Sequence, residues 1–136
     1  DNIVAIKEAS GRYGQIAQVI RNKPENFSVL SGNDDETLSL MATGADGVIS
    51  VASNVDPLRM VRLVESLKVD DMATARQLHY QLMPLFKNCF VESNPIPAKA
   101  ALAQLGLCEN SLRLPLVPAT SDTEQLMKET LKELEL

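Results

Sequence analysis

Lys7 follows the run Ile3-Val4-Ala5-Ile6 with no turn residue between them, which places a primary amine where a buried strand ends. Withdrawing an ammonium group from water disfavours its charged form, and a neutral amine attacks carbonyl carbon to give a Schiff base. A lysine at a strand end also reaches solvent or pairs with a neighbouring acid such as Glu8, and position alone leaves both readings open. Two further segments occupy equivalent places. Ser31-Gly32-Asn33-Asp34-Asp35 leaves the run Phe27-Ser28-Val29-Leu30, and Ser50 to Asn54 leaves the run that starts at Gly47. Gly32 lets the backbone approach a ligand and the amides beyond it face an anion; Gly, Asn and Asp are equally what a strand-to-helix turn and its cap require. Ile49, inside the third run, reads by burial preference as core.

The remaining candidates are sparse. His79 is the only histidine and lies beside Tyr80, so a triad or a metal site built on it is not expected, and it reads as a surface or capping side chain. Cys89 and Cys108 stand among apolar neighbours with no second Cys or His at metal-ligand spacing, which predicts two buried free thiols in a reducing compartment. No metal site is expected. The absence of a recognisable secretory leader favours the cytoplasm.

The elements that must position Lys7, Gly32 and Ile49 form a repeating pattern. Three β-branched runs, Ile3 to Ile6, Phe27 to Leu30 and Gly47 to Val51, alternate with helical periodicity over Tyr13 to Lys23 and over Asp35 to Thr43, the latter stopped by Gly44. Short continuous apolar strands alternating with helices predict a parallel sheet in the order 1-2-3, with helices on one face. Asp56 and Pro57 open a helix carrying Leu58, Val61, Leu63, Val64 and Leu67. Residues 71–136 hold no convincing strand. Helices are predicted over Met72 to Phe90, kinked at Pro84, over Ala98 to Leu105, and over Glu124 to Leu134 behind a capping box at Ser121-Asp122-Thr123-Glu124. Asn94-Pro95-Ile96-Pro97 reads as a stiff extended connector.

The 136 residues are 45% hydrophobic and 23% charged, enough apolar side chain for a packed core and too much for a disordered chain. The net charge of −5 is spread over both halves, with no basic patch for nucleic acid and no basic amphipathic helix for a membrane surface. Three parallel strands cannot close on themselves, and a (β/α)8 barrel needs about 250 residues. The chain also starts within an apolar run without Met, so the expectation is a part of something larger with an open edge strand available for pairing.

Five segments carry a resemblance: Ile6-Lys7-Glu8-Ala9-Ser10-Gly11, Leu30-Ser31-Gly32-Asn33-Asp34, Gly44 to Asn54, Asn94-Pro95-Ile96-Pro97-Ala98-Lys99 and Leu112-Arg113-Leu114-Pro115-Leu116. In order and spacing they resemble the C-terminal half of the dihydrodipicolinate synthases, over essentially the whole chain. The resemblance implies the C-terminal part of a (β/α)8 TIM barrel, strands six to eight in residues 1–70, followed by a three-helix C-terminal domain in 71–136. It implies Lys7 as the lysine that forms a Schiff base with pyruvate, Ile49 as a residue whose backbone helps to hold pyruvate, and Gly32 and Asn33 as lining the site for aspartate semialdehyde, with Asn33 standing where Asp is common. It implies no cofactor beyond the lysine imine itself. The family's tyrosine relay and the arginine that grips the semialdehyde's carboxylate belong to the half before Asp1. The implied partner is therefore the missing N-terminal half of the barrel, and the open edge strand and uncovered apolar face of a three-stranded sheet predict a homo-oligomer. The competing class is an inert half-barrel that self-associates or complements a separate N-terminal half.

Overall fold

The computed structural model describes residues 2–136. Three strands, β1 (Ala5–Glu8), β2 (Ser28–Ser31) and β3 (Gly47–Val48), are parallel and lie in the order β1-β2-β3, as the alternating pattern predicts. Ala5 to Glu8 pair in register with Ser28 to Ser31, and Leu30 and Ser31 pair with Gly47 and Val48. β1 therefore lies further along than its apolar run. Ile3 and Val4 are 76% and 65% exposed, while Lys7 lies within the strand and not after it. Pairing with β2, which extends to Ser31, sets these limits where hydropathy does not. β3 is shorter than its run: the Ile49 N–H still donates to the Ser31 carbonyl at 2.8 Å, but by Val51 the backbone is helical (φ −87, ψ −44).

Alternation along β2 sends Val29 and Ser31 to one face, where Val29 packs with Ile16, Ile20, Leu40 and Ala45. These side chains come from α1 (Tyr13–Asn22), from α2 (Thr37–Thr43) and from the turn after it. A short 3-10 turn, Asp34–Glu36, precedes α2, and Gly44 ends it at φ 111, a left-handed conformation that costs glycine least. Ser28 and Leu30 face the other way, and Lys7, paired with Leu30, shares their face. Asp46 fastens the start of β3 to its neighbours: its Oδ2 accepts from the Val29 N–H at 2.8 Å and from Lys23 Nζ at 2.5 Å. The Lys23 ammonium holds the Asp46 carboxyl below its ordinary value.

α3 (Pro57–Lys68) starts as predicted, with Asp56 Oδ1 accepting from the Arg59 N–H at 3.1 Å. Its buried stripe is Met60, Leu63 and Leu67, whereas Leu58 and Val61 are 77% and 52% exposed. Both stripes have helical spacing, and packing against α4 (Met72–Asn88) selects one. The connector Asn94 to Pro97 is partly helix: α5 is Ile96–Gln104, with Pro97 in its first turn, where a missing amide donor costs nothing. α6 is Ser121–Glu133, but its cap is Thr120, whose Oγ1 accepts from the Thr123 N–H at 3.4 Å. Glu124 accepts from Asn110 Nδ2 at 2.9 Å instead of closing a capping box.

One apolar cluster joins Ala52, just after β3, to α3, α4, α5 and α6 through residues such as Leu63, Leu82, Ala101 and Met127. Cys89 is buried in it, and burial pushes its thiol up to about 12. Cys108 is exposed, contrary to its apolar neighbourhood in sequence. His79 is half-buried, not a surface side chain, with its ring 5.7 Å from Phe86 and 5.8 Å from Tyr80. Burial pushes its pKa down, opposed by Asp35.

Candidate active site

The carboxyl ends of β1, β2 and β3 bring Lys7, Gly32 and Ile49 onto adjoining chain segments. Lys7 pairs with Leu30 and Leu30 with Gly47, so the outer strands lie about 10 Å apart at that level, two strand spacings. From β1 the Lys7 side chain runs towards β2's exit. A Cβ built on Gly32 would lie 2.5 Å from Ala9 Cβ, which cannot turn away, and 2.8 Å from Lys7 Cε, at the flexible end of its side chain. Gly32 is thus required by close approach, and the Gly32 N–H donates to the Glu8 carbonyl at 2.7 Å. The glycine reads in sequence as turn or ligand chemistry; in the fold it is closed in by Ala9, with the Lys7 stem beside it.

Ile49 is 47% exposed, so it is not the core residue that burial preference suggests. Alternation from Gly47 puts its side chain on the Lys7 face, and that face is open to solvent. Lys7 itself is exposed, so the desolvated amine expected from a buried strand end is not formed by these three strands alone. Its neighbour Glu8 does not pair with it: the carboxylate accepts from the Ser10 N–H at 3.0 Å and from the Ser10 hydroxyl at 2.8 Å.

Asn33 belongs to the same segment, but its amide is turned to Glu36, donating to Oε2 at 2.8 Å. Asn33 and Glu36 line a cavity of about 520 Å³ beyond β1 and β2, together with Gly11, Asp34, Lys87 and Phe90. The charge that Asn33 lacks is present next to it on Glu36. A larger groove, about 760 Å³, runs between α5 and α6 and is lined by Gln104, Gln125, Lys128, Glu129 and Lys132. It lies away from the strand ends, and nothing in it pairs a nucleophile with a neighbouring base.

Asp34 is the residue that sequence reasoning passed over as one of several turn-formers. It is 3% exposed, and its Oδ2 accepts from the Val51 and Ala52 N–H groups, each at 3.0 Å. The only sequence signal is an acid three residues beyond a strand; its partners, seventeen and eighteen residues on, carry no mark. Among the described residues, no three His, Cys, Asp or Glu side chains converge as metal ligands, and no helix is long and apolar enough to cross a membrane.

The model of the dihydrodipicolinate synthetase family matches residues 1–134. The 4-hydroxy-tetrahydrodipicolinate synthase of Thermosipho melanesiensis is 47% identical over 135 residues, which are 99% of this chain and 47% of that protein. The crystal structure of dihydrodipicolinate synthase from Thermotoga maritima superposes with a TM-score of 0.96 at 47% identity, covering 98% of this chain and 46% of that one. The chloride-inhibited enzyme from Acinetobacter baumannii, solved in complex with pyruvate, superposes at 0.94 with 35% identity over 98% of this chain and 46% of its own. The chain spans about half the length of the relatives it matches, and its three strands and helical tail are the C-terminal part of their (β/α)8 barrel fold.

Proposed function

The chain belongs to the dihydrodipicolinate synthetase family, and from that membership we propose that it is the C-terminal half of a synthase of lysine and diaminopimelate biosynthesis, with Lys7 as its nucleophile. The observation that carries the proposal is the Lys7 stem laid across a side-chain-free Gly32 at the carboxyl ends of parallel strands, the place where barrel enzymes do their chemistry.

In this reading the Lys7 amine attacks the ketone carbon of pyruvate. A C–N bond forms, water leaves with the carbonyl oxygen, and the resulting iminium draws electrons from the adjacent methyl group, which gives up a proton to form an enamine. The enamine carbon attacks the aldehyde of aspartate semialdehyde, whose oxygen takes a proton, and the new C–C bond leaves an iminium; the semialdehyde's own amino group then adds to the iminium carbon, closing a ring, and the C–N bond to Lys7 breaks with Lys7 leaving as the free amine. The lysine imine is the electron sink, so the proposal needs no metal and no organic cofactor. Ile49 supplies backbone groups to pyruvate, and Gly32 and Asn33, with the Glu36 held by Asn33, border the second substrate. A cytoplasmic location accords with this pathway.

The open Lys7 face assigns a role to a partner. Strands supplied by an N-terminal half would cover that face, desolvate the amine and bring the acid-base groups that this half lacks, whose help is worth ~10²–10⁴-fold in rate. A second reading, an inert half-barrel that associates with its own copies, is favoured by the exposure of Ile3 and Val4 beside the unpaired edge of β1. Mixing the chain with the N-terminal half of the Thermosipho melanesiensis relative and assaying condensation of pyruvate with aspartate semialdehyde separates them. We expect turnover only in the mixture, lost with Lys7→Arg because a guanidinium stays protonated. Turnover that survives Lys7→Arg, or none in an assembled complex, overturns the proposal.

A further inference from the structure

We infer that Asp34 is a positioning residue for pyruvate: its buried carboxylate fixes the loop after β3 and so sets where the backbone of Ile49 stands relative to Lys7. The inference rests on the reading of Lys7 and Ile49 given above and adds to it a residue to which that reading assigns no part.

A carboxylate withdrawn from water is costly unless donors surround it. Asp34 is compensated on one oxygen only: Oδ2 accepts from two backbone amides, those of Val51 and Ala52, at the start of a short 3-10 turn, Ala52–Asn54, while Oδ1 is buried without a partner. These are charge-assisted bonds to amides that the turn leaves without internal partners. Ala52 is itself fully buried and continues into the core shared with α3 and α4, so the far side of the loop is rigid. On the near side the last ladder bond is Ile49 N–H to the Ser31 carbonyl. Ile49 and Ser50 are therefore held between two clamps, and both belong to the exit of β2, one at Ser31 and one at Asp34. Between these clamps lies Gly32, against which the Lys7 stem rests and whose N–H holds the Glu8 carbonyl of β1. Ser31, Gly32 and Asp34 thus fix the nucleophile's strand on one side and the pyruvate-holding backbone on the other. Removing the Asp34 carboxylate releases one of the two clamps on Ile49 while leaving Lys7, its strand and Gly32 in place. The consequence belongs to pyruvate affinity and not to the chemical reactivity of the amine.

The test uses the whole chain with pyruvate and borohydride, reading the reduced adduct on Lys7 by mass across a pyruvate titration, for the parent, Asp34→Ala and Asp34→Asn. Amide exchange is followed in parallel at Ile49, Val51 and Ala52, with Leu63 and Leu82 as reporters of the core. For Asp34→Ala we expect the half-saturating pyruvate to rise about tenfold, the size of losing a hydrogen bond to a charged group, with the limiting trapping rate unchanged. Asp34→Asn, which keeps an acceptor oxygen, should restore most of the loss, and exchange at Ile49 should quicken in Asp34→Ala while Leu63 and Leu82 stay protected. Unchanged half-saturation, or loss of the limiting rate together with core protection, overturns the inference. If the parent chain gives no adduct at Lys7 even with the N-terminal half of the relative bound, the Lys7 reading fails, and the pyruvate role of Asp34 fails with it. Exchange tells the two failures apart: an unchanged Ile49 in Asp34→Ala overturns the positioning by Asp34 whatever Lys7 does.

Discussion

At Gly32 the sheet has no room for a side chain, because Ala9 Cβ and Lys7 Cε already occupy the space a Cβ would enter. Gly32→Ala should therefore destabilise the chain by about 1–3 kcal/mol, the usual cost of overpacking, read as a lower denaturant midpoint; an unchanged midpoint would show that Ala9 does not crowd that position. Lys7 stood out in the sequence as an amine directly after a β-branched run, but position alone left a solvent-exposed lysine open as well, and only the family resemblance gave it a role. What the sequence could not show was its solvation: the three strands leave Lys7 exposed. Asp34 was illegible for a different reason. Its amide partners are seventeen and eighteen residues away, and an acid within Ser31 to Asp35 looks like any other capping residue until the fold brings the two loops together.

At the scale of elements, periodicity located the helices, while their ends were decided by local chemistry that several residues could supply equally well. Ser121 and Thr120 are both good caps, and the structure uses Thr120. Thr120→Ala should cost ~1 kcal/mol of stability, within the 0.5–2 range for caps, whereas Ser121→Ala should cost almost nothing; thermal or denaturant unfolding of the two variants distinguishes them, and the reverse order would contradict the assignment. The Asn94 to Pro97 segment failed as an extended connector for a related reason. Proline stiffens extended chain and also suits the first turn of a helix, and only the buried positions of Ile96 and Pro97 against the core decide for the helix. Likewise α3 carries two apolar stripes, and the position of α4 determines that Met60, Leu63 and Leu67 are the buried one.

For the whole molecule, order and parallel direction of the strands followed from the alternation of runs and helical patterns, and the barrel from five segments in series resembling one family. The helical tail is not an appendage to that sheet. Its core reaches Ala52, at the foot of the loop that holds Ile49, so the tail braces that loop from behind while the Lys7 face is open to solvent. The central claim is that this half alone carries the nucleophile. It is tested most directly by treating the chain with pyruvate and borohydride, with and without the N-terminal half of a relative, and mapping the adduct by mass. The account predicts one pyruvate-derived adduct, on Lys7, increased when the other half is present and absent in Lys7→Arg. Labelling spread over the exposed Lys68, Lys87, Lys128 and Lys132 in preference to Lys7, with the other half bound, would contradict it.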